Sequence, residues 1–370
     1  MKQTRLFLMI TRSLILPLCT GLFLCTGCLH REYPVGEDSS DSSQGADQLN
    51  SEHQTTAHFE YSQSEGSKST NSSASAEQLL LESAEYRILL TSDTHYTYRS
   101  SWYETSPEDR MQHWVDSILE EHERRPFDLI LILGDVSLDH WKWQGGGSYL
   151  KDGISTTELF VKNYVSQLPE DVPVRILAGN HEQYSNEQWK ELTGNDRTCS
   201  FVLGNNLFIM PDSYSGELDP DYHHDGVYLP VDVDYIQDQM DAHPDHKVYL
   251  VSHYFNMGAE SEEFKALLRD NNRIVTLFQG HTHKCSVISL GEDCGSKTIL
   301  QCGNFSYSGN KESTQSIVDS FWGFRDLILT EKKAVSRYLM VESDAIVNKQ
   351  QVHVNRSMIA VIPFSLKYYE

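Results

Sequence analysis

The feature that most constrains this chain is a repeated arrangement in which a short aliphatic run ends at a polar motif. The runs are Tyr86–Thr91, Phe127–Leu133, Val172–Ala178, Lys247–Val251 and Ile274–Phe278. Continuous apolar runs of this length are typical of strands buried on both faces. Helical patterns separate most of them, and this alternation predicts an α/β layered fold. Rigid strands would hold the polar residues in place, and the loops beyond them would admit a ligand.

The polar motifs contain carboxylate, amide and imidazole side chains and no thiol. They are Asp93-Thr94-His95, Gly134-Asp135, Gly179-Asn180-His181-Glu182, Ser252-His253 and Gly280-His281-Thr282-His283. Hard oxygen ligands mixed with imidazoles suit Mn²⁺, Fe or Zn²⁺ in a catalytic site better than a structural zinc. Such residues at the ends of successive strands are what a two-metal hydrolytic site needs.

In this order and spacing, the motifs resemble those of the calcineurin-like metallophosphoesterase family, over roughly Tyr86 to Tyr338. The resemblance implies a four-layer αββα sandwich of two mixed β-sheets. It also implies two divalent metal ions (Mn, Fe or Zn) and a set of ligands. One ion would be held by Asp93, His95 and His283, the other by Asn180, His253 and His281, and Asp135 would bridge both.

The same resemblance implies a metal-dependent phosphoric ester hydrolase that cleaves phosphodiester or phosphomonoester bonds. A water between the ions would lose a proton and attack phosphorus in line with the leaving group. The catalytic residues would be Asp135 and His181, the latter protonating or stabilising the leaving oxygen. We expect Glu182 to orient a histidine, and Ser252 and Thr282 to be structural.

Two positions depart from subgroups of the family. Purple acid phosphatases carry a tyrosine three residues after the bridging aspartate, where this chain has Leu138, so we expect no ferric-tyrosinate colour. Many cyclic-nucleotide phosphodiesterases place an aspartate there, and Asp139 is one residue late. The arginine-rich pattern of ser/thr protein phosphatases is absent too, so we slightly favour a diester or a pyrophosphate-linked nucleotide as substrate.

The first 28 residues predict a lipoprotein-type signal peptide. Lys2, Arg5 and Arg12 precede the apolar run Leu14–Leu24, which is short for a bilayer span and ends near Cys28. The segment resembles a bacterial lipobox, in which that cysteine becomes the lipidated N-terminus. An ordinary cleaved signal and an uncleaved anchor are the alternatives. The lipoprotein prediction places the protein outside the cytoplasm, attached to the cell envelope.

Residues 29–84 predict a disordered Ser-rich linker. Thirteen Ser lie between Ser39 and Ser83, and no apolar period precedes Leu79, so the segment cannot bury enough surface to fold. It would be a spacer from the membrane or a solubilising tail. Residues 85–340 would form the catalytic domain and 341–370 a C-terminal β extension. We assign the strands predicted after Cys285 to the second sheet.

The formal net charge of −23 limits the partners. So acidic a chain repels nucleic acid, and no basic stripe is present, whereas a small phosphorylated substrate is compatible because bound cations reverse the local field. Beside the enzyme, two other interpretations are a non-catalytic scaffold with this fold and a lipid-anchored glycan- or ligand-binding protein.

Aromatic residues in several loops bear on the choice of substrate. Trp102, Tyr103, Trp141, Trp143, Tyr149 and Tyr184 follow the first three motifs, and Phe305-Ser306-Tyr307 follow Gly303-Asn304. They could stack on a ligand or pack as a small satellite core. Other open alternatives concern His223-His224-Asp225, an accessory metal site or a polar loop, and Cys285 with Cys302, which a hairpin would place opposite each other as a disulfide or as two thiols.

Overall fold

A computed structural model describes residues 84–97, 105–140, 155–216, 226–306, 320–331, 333–341 and three short strands beyond them. In the catalytic region, two six-stranded sheets pack face to face, and helices cover the outer face of each. This is the predicted αββα sandwich of two mixed sheets. The predicted signal peptide, the linker, His223-His224-Asp225 and most of the aromatic loops lie outside the described residues.

The first sheet has the strand order β14-β11-β10-β1-β2-β3. Its strands are β1 (Tyr86–Thr91), β2 (Leu129–Leu133), β3 (Val174–Leu177), β10 (Gly323–Leu329), β11 (Ala334–Met340) and β14 (Phe364–Leu366). β1, β2 and β3 run parallel, so the three motifs that follow them emerge at one edge of the sheet. β10, β11 and β14 add antiparallel strands beyond β1.

The second sheet has the order β4-β5-β6-β7-β9-β8. Its strands are β4 (Cys199–Leu203), β5 (Asn206–Met210), β6 (Lys247–Ser252), β7 (Ile274–Gln279), β8 (Val287–Ser289) and β9 (Thr298–Gln301). β6 and β7 are parallel neighbours, so the last two motifs also emerge side by side. A separate two-stranded ribbon pairs β12 (Ile346–Val347) with β13 (Gln350–Gln351).

Five α-helices of the described region cover the sheets. They are α1 (Pro107–Arg124), α2 (Thr156–Asn163), α3 (Asn186–Thr193), α4 (Val233–Ala242) and α5 (Glu262–Asp270). Each begins after a Ser or Asp whose side chain accepts a backbone N–H of the first turn, which supplies a partner that helix geometry leaves unmet. None of these described helices has the length and apolar composition that crossing a bilayer requires.

Three buried clusters hold the layers together. Residues alternate along β1: Ile88 and Leu90 point between the sheets, towards Phe208 and Tyr249 of the second sheet. Leu89 points to the opposite face, where it packs with α1, α2 and α3. The outer face of the second sheet packs against α4 and α5 in the same way. Both sheets are therefore covered on both faces, which explains the continuous apolar runs of β1, β2, β6 and β7.

The assignment of every late strand to the second sheet was wrong. β8 and β9 do join it, but β10, β11 and β14 continue the first sheet, where Tyr86 lies opposite Leu329. β10 is buried along its whole length, so its composition fits an interior position in either sheet. Only long-range pairing decides which edge it extends.

Other differences from the sequence prediction are local. The helix predicted for 155–168 ends at Asn163 and is followed by a single 3₁₀ turn, Val165–Gln167. Neither α3 nor β4 was predicted. The hairpin around Asp293 is confirmed, since Val287 lies opposite Leu300. Within the described residues, no disulfide joins Cys285 to Cys302.

Candidate metal centre

The predicted ligand residues converge where the two sheets meet at the carboxyl ends of their parallel strands. Asp93 and His95 follow β1, Asp135 follows β2, and His253 follows β6. The remaining predicted ligands are Asn180 after β3 and His281 and His283 after β7. Nitrogen or oxygen atoms of these side chains form three overlapping groups that could each hold an ion: Asp93, His95 and His283; His95, Asp135 and His181; Asp135, His253 and His281.

Asp135 lies at the centre of this cluster. Its Oδ2 is 3.5 Å from Nε2 of His95, 3.3 Å from Nε2 of His253 and 3.7 Å from Nε2 of His181. Its other oxygen, Oδ1, accepts the backbone N–H of His181 at 3.0 Å. The carboxylate thus faces both outer groups of candidate ligands, as a residue bridging two ions must.

The tautomer of His253 gives a test of whether a cation fits. Its Nδ1 lies 2.6 Å from the carbonyl oxygen of Leu133 and must donate to it. In a neutral imidazole, Nε2 then carries a lone pair. Yet Nε2 faces two oxygen acceptors, Asn180 Oδ1 at 3.0 Å and Asp135 Oδ2 at 3.3 Å. A lone pair among oxygen atoms requires a cation between them, either a proton or a metal ion.

Asp93 gives the same result for the other group. The side chain has no exposed surface, and its Oδ1 makes no hydrogen bond although it lies 3.3 Å from Nε2 of His283 and 3.7 Å from Nε2 of His95. Oδ2 accepts the backbone N–H of His281 at 2.9 Å. A buried carboxylate oxygen without a hydrogen bond is costly, and a bound cation would relieve that cost. The donor set therefore fits divalent metal ions.

The pKa values show how the metal-free cluster balances its charges. Burial acts against ionisation, but the Asp135 carboxylate raises the pKa of His253 to about 9, and Asp135 and Asp93 together raise that of His95 to about 9. Burial, reinforced by His253, lowers the pKa of His281 to about 4. Protons on two imidazoles thus partly neutralise the buried carboxylates when no metal is bound.

The backbone at the site is held in an unusual conformation. Asp93, His95, Asp135, His281 and His283 all have positive φ, between 44° and 60°. Side chains with a Cβ rarely adopt this region, and such residues persist only where the surrounding structure enforces them. The strain aims side chains that are close in sequence at the same point.

Two motif glycines are explained by close approach. A Cβ on Gly179 would lie 2.1 Å from Oδ1 of Asp135, and one on Gly280 would lie 1.8 Å from Oγ of Ser92. Any side chain at either position would push a candidate ligand loop away from its neighbour. These glycines allow the loops to pack against each other.

Glu182 does not orient a histidine, which corrects the expectation from the sequence. Its carboxylate accepts the backbone N–H groups of Gly179 at 2.8 Å, Asp135 at 2.9 Å and Ser137 at 2.8 Å. It therefore ties the loop after β3 to the loop after β2. Burial, followed by the nearby Asp135 carboxylate, raises the pKa of Glu182 to about 8.

Several residues near the site have structural roles. Ser252 donates to the Pro211 carbonyl and Thr282 accepts from Gln301, which agrees with the structural role expected for both. Leu138 is buried and offers no ligand atom. Asp139 accepts the backbone N–H groups of Thr156 and Thr157 at the start of α2, as well as the Tyr184 hydroxyl. Tyr184 is therefore part of a packed cluster.

Sequence reasoning missed two buried arginines that hold the site loops. Arg110 of α1 donates to the carbonyls of Thr94, His95 and Phe305. Arg197 donates to the carbonyls of Glu182, Tyr184 and Tyr214 and to the Asp212 carboxylate. Their partners are main-chain oxygen atoms distant in sequence, and no local pattern marks such contacts.

Comparison with known proteins agrees with this geometry. A family model described as calcineurin-like phosphoesterase matches residues 86–285. The chain belongs to this family. The calcineurin-like match includes every strand that carries a motif, together with all seven predicted metal ligands and His181.

Solved structures show the same fold at low sequence identity. A dimetal phosphatase from Danio rerio superposes with a TM-score of 0.53 at 13% identity, covering 77% of this phosphoesterase chain and 100% of its own. GAP50, the anchor in the inner membrane complex of Plasmodium, gives a TM-score of 0.45 at 12% identity, covering 78% of this chain and 90% of its own. At such identities, the first of these likenesses supports the fold alone.

Proposed function

We propose that this chain is an extracytoplasmic two-metal phosphoesterase that hydrolyses a phosphodiester or phosphomonoester. The observation that carries the proposal is the environment of His253 Nε2, which faces Asn180 Oδ1 and Asp135 Oδ2 across 3.0 and 3.3 Å with its lone pair. Together with the buried Asp93 oxygen, it supports two cation positions that share Asp135. Mn, Fe and Zn suit these oxygen and imidazole ligands.

The ligand residues would act by holding charge and geometry. Asp93, His95 and His283 would hold one ion, Asn180, His253 and His281 the other, and Asp135 would contact both. When bound, two such ions lower the pKa of a water and neutralise charge on a phosphoryl group. The rigid strand ends and strained loops would keep the ligands in place without reorganisation during the reaction.

His181 is placed to act on the leaving group. Its ring lies at the solvent side of the cluster, with the side chain 11% exposed against 0% for His253. The backbone N–H of His181 donates to Asp135 Oδ1, which fixes the residue beside the centre. An imidazole that reaches both the cluster and solvent can donate a proton to a departing oxygen.

A diester or a pyrophosphate-linked nucleotide is the favoured substrate. A monoester dianion is usually gripped by arginine forks. Arg197, near the third motif, uses its donors on three main-chain carbonyls and on Asp212. Arg110 is fully buried beneath the first motif. Neither guanidinium is available to a substrate phosphate.

The test compares bis-p-nitrophenyl phosphate with p-nitrophenyl phosphate, using the purified full-length protein reconstituted with Mn²⁺. We expect faster turnover of the diester and loss of it in Asp135→Asn. In His181→Ala the loss should reach about 10²–10⁴-fold and grow as the leaving group becomes more basic. Two bound ions without turnover of either ester, or full activity in Asp135→Asn, would contradict the proposal.

The location of the enzyme belongs to the same proposal. Lipid on Cys28 would tether the catalytic domain to the envelope through residues 29–84, and the acidic chain would face small phosphorylated substrates outside the cytoplasm. Incorporation of labelled palmitate should occur in the wild-type chain and be lost in Cys28→Ala. Equal labelling of both would remove the lipid anchor from the proposal.

A further inference from the structure

Arg110 stands out because it is completely buried and contacts main-chain oxygen atoms of the site. It lies in the first turns of α1, where its own N–H bonds the Ser106 carbonyl. The side chain has no exposed surface, which is rare for arginine unless its donors are used. Nη1 donates to the carbonyls of Thr94 and Phe305, and Nη2 donates to that of His95 at 3.2 Å.

Two of those carbonyls belong to the loop that carries Asp93 and His95. Both of these residues have positive φ, 53° and 44°, a conformation that costs about 1–3 kcal/mol per residue and needs external support. A guanidinium that holds the Thr94 and His95 carbonyls from below supplies that support. Lysine would lack the planar fork that can reach several acceptors in fixed directions.

The third carbonyl extends the contact to another ligand loop. Phe305, whose carbonyl Arg110 binds at 2.6 Å, donates its own N–H to the Asp93 carbonyl at 3.2 Å. The preceding residue, Asn304, donates Nδ2 to the His283 carbonyl at 2.8 Å. Arg110 thereby connects the backbone around Asp93, His95 and His283, the members of one candidate metal group.

The other candidate group has different backbone partners. The Asn180 carbonyl accepts from Gly226, and the His253 carbonyl accepts from Gly280. Neither contact passes through Arg110. Disturbing Arg110 should therefore act on one ion position and leave the other intact.

We propose that Arg110 is a positioning residue that preorganises the Asp93–His95–His283 group and selectively supports binding of its ion. The inference rests on the proposed two-metal function. Loss of contacts that orient metal ligands typically weakens metal binding by about 10–100-fold. That range is the expected effect at one site only.

The experiment titrates Mn²⁺ into the chelator-treated full-length protein by calorimetry, with bound metal counted by elemental analysis. The variants are Arg110→Lys, His283→Ala to mark the first site, and Arg87→Lys as a matched control. Arg87 is also a buried arginine, but its fork binds Asp326 and the carbonyls of Glu121 and Arg125, away from the metal ligands.

We expect two ions in the wild-type protein and in Arg87→Lys. In Arg110→Lys, one site should keep its wild-type affinity while the site that His283→Ala removes weakens by about 10–100-fold. A wild-type protein that binds fewer than two ions would contradict the proposed function itself. Wild-type affinity at both sites of Arg110→Lys would overturn only the role of Arg110, as would equal weakening of both sites or failure of this variant to fold.

Discussion

Two aspartates of the first sheet are both fully buried, but their surroundings differ. Asp326 of β10 accepts from Arg87 at 3.0 Å on each carboxylate oxygen and from Nε of Arg337 at 2.8 Å, so its charge is matched within the protein. Asp93, beyond β1, has an oxygen with no hydrogen bond and faces the Nε2 atoms of His95 and His283. One carboxylate brings its own cations, and the other is arranged to receive one.

The difference separates charge that holds the fold from charge that serves the site. A buried ion pair satisfied by guanidinium groups is rigid and stays closed to ligands. A buried carboxylate opposite imidazoles leaves a position that a metal ion can take, at the cost of an incompletely satisfied metal-free state. Substitutions at the two aspartates should therefore have opposite consequences for activity and stability.

The largest effect is expected for Asp93→Asn. Removing this charge should abolish binding of one ion and reduce diester hydrolysis by about 10³-fold or more, since transition-state charge stabilisation by a metal is worth several kcal/mol. The free energy of unfolding of the chelated variant should fall less than that of Asp326→Asn. Steady-state turnover and urea unfolding measure the two quantities, and retained activity would break the comparison.

Asp326→Asn should show the reverse. It leaves the buried Arg87 and Arg337 short of a counter-charge, which costs about 3–5 kcal/mol of unfolding free energy. Activity per folded molecule should be unchanged. Glu121→Gln is the control, because Glu121 lies 3.5 Å from Arg87 but is 14% exposed, so its loss should cost about 1 kcal/mol at most. Equal destabilisation in both variants would show that burial of the carboxylate does not decide the effect.

Asp139→Asn tests a third carboxylate, which lies near the site but outside it. Asp139 holds the start of α2 and the Tyr184 hydroxyl, so its substitution should cost about 1–3 kcal/mol of stability and leave metal stoichiometry at the wild-type value. Asp232→Asn at the exposed start of α4 is the matched control and should change stability by about 0.5 kcal/mol or less. Loss of an ion in Asp139→Asn would instead place this residue in the metal centre.

The smallest effect is a pH dependence with opposite signs in the metal-free and metal-bound protein. The pKa values of His95 and His253 rise from about 6.5 to about 9 on folding without metal. Their contribution to stability is complete below pH 6.5 and is lost as the pH rises through 9. Metal affinity should increase over the same interval because the ion displaces these protons.

Urea unfolding of the chelated protein and Mn²⁺ titration under argon, both at pH 6.5 and pH 9, measure these slopes. Below this interval, the lowered pKa of His281, about 4, makes the metal-free protein lose stability as the pH falls. A metal-free protein that becomes more stable between pH 6.5 and 9 would show that the histidines do not carry the protons assigned to them.

The sequence predicted the elements around the site better than their assembly. The runs that became β1, β2, β6 and β7 were recognised because strands buried on both faces are continuously apolar. α3 was missed, although Ser185 and Gln188 form a capping box at its start. Membership of β10 in the first sheet was also missed, because pairing between Tyr86 and Leu329 joins residues far apart in the chain.

By itself, the sequence determined which residues could bind metal, the order of the strands that carry them and the family to which the chain belongs. Those properties depend on side-chain chemistry and on periodicity, which are local. The tertiary structure alone decided that Glu182 ties two loops, that Arg110 holds a third and that Asp326 has its own cations while Asp93 has not. These roles arise from hydrogen bonds between distant segments, and the partners become neighbours only when the two sheets pack.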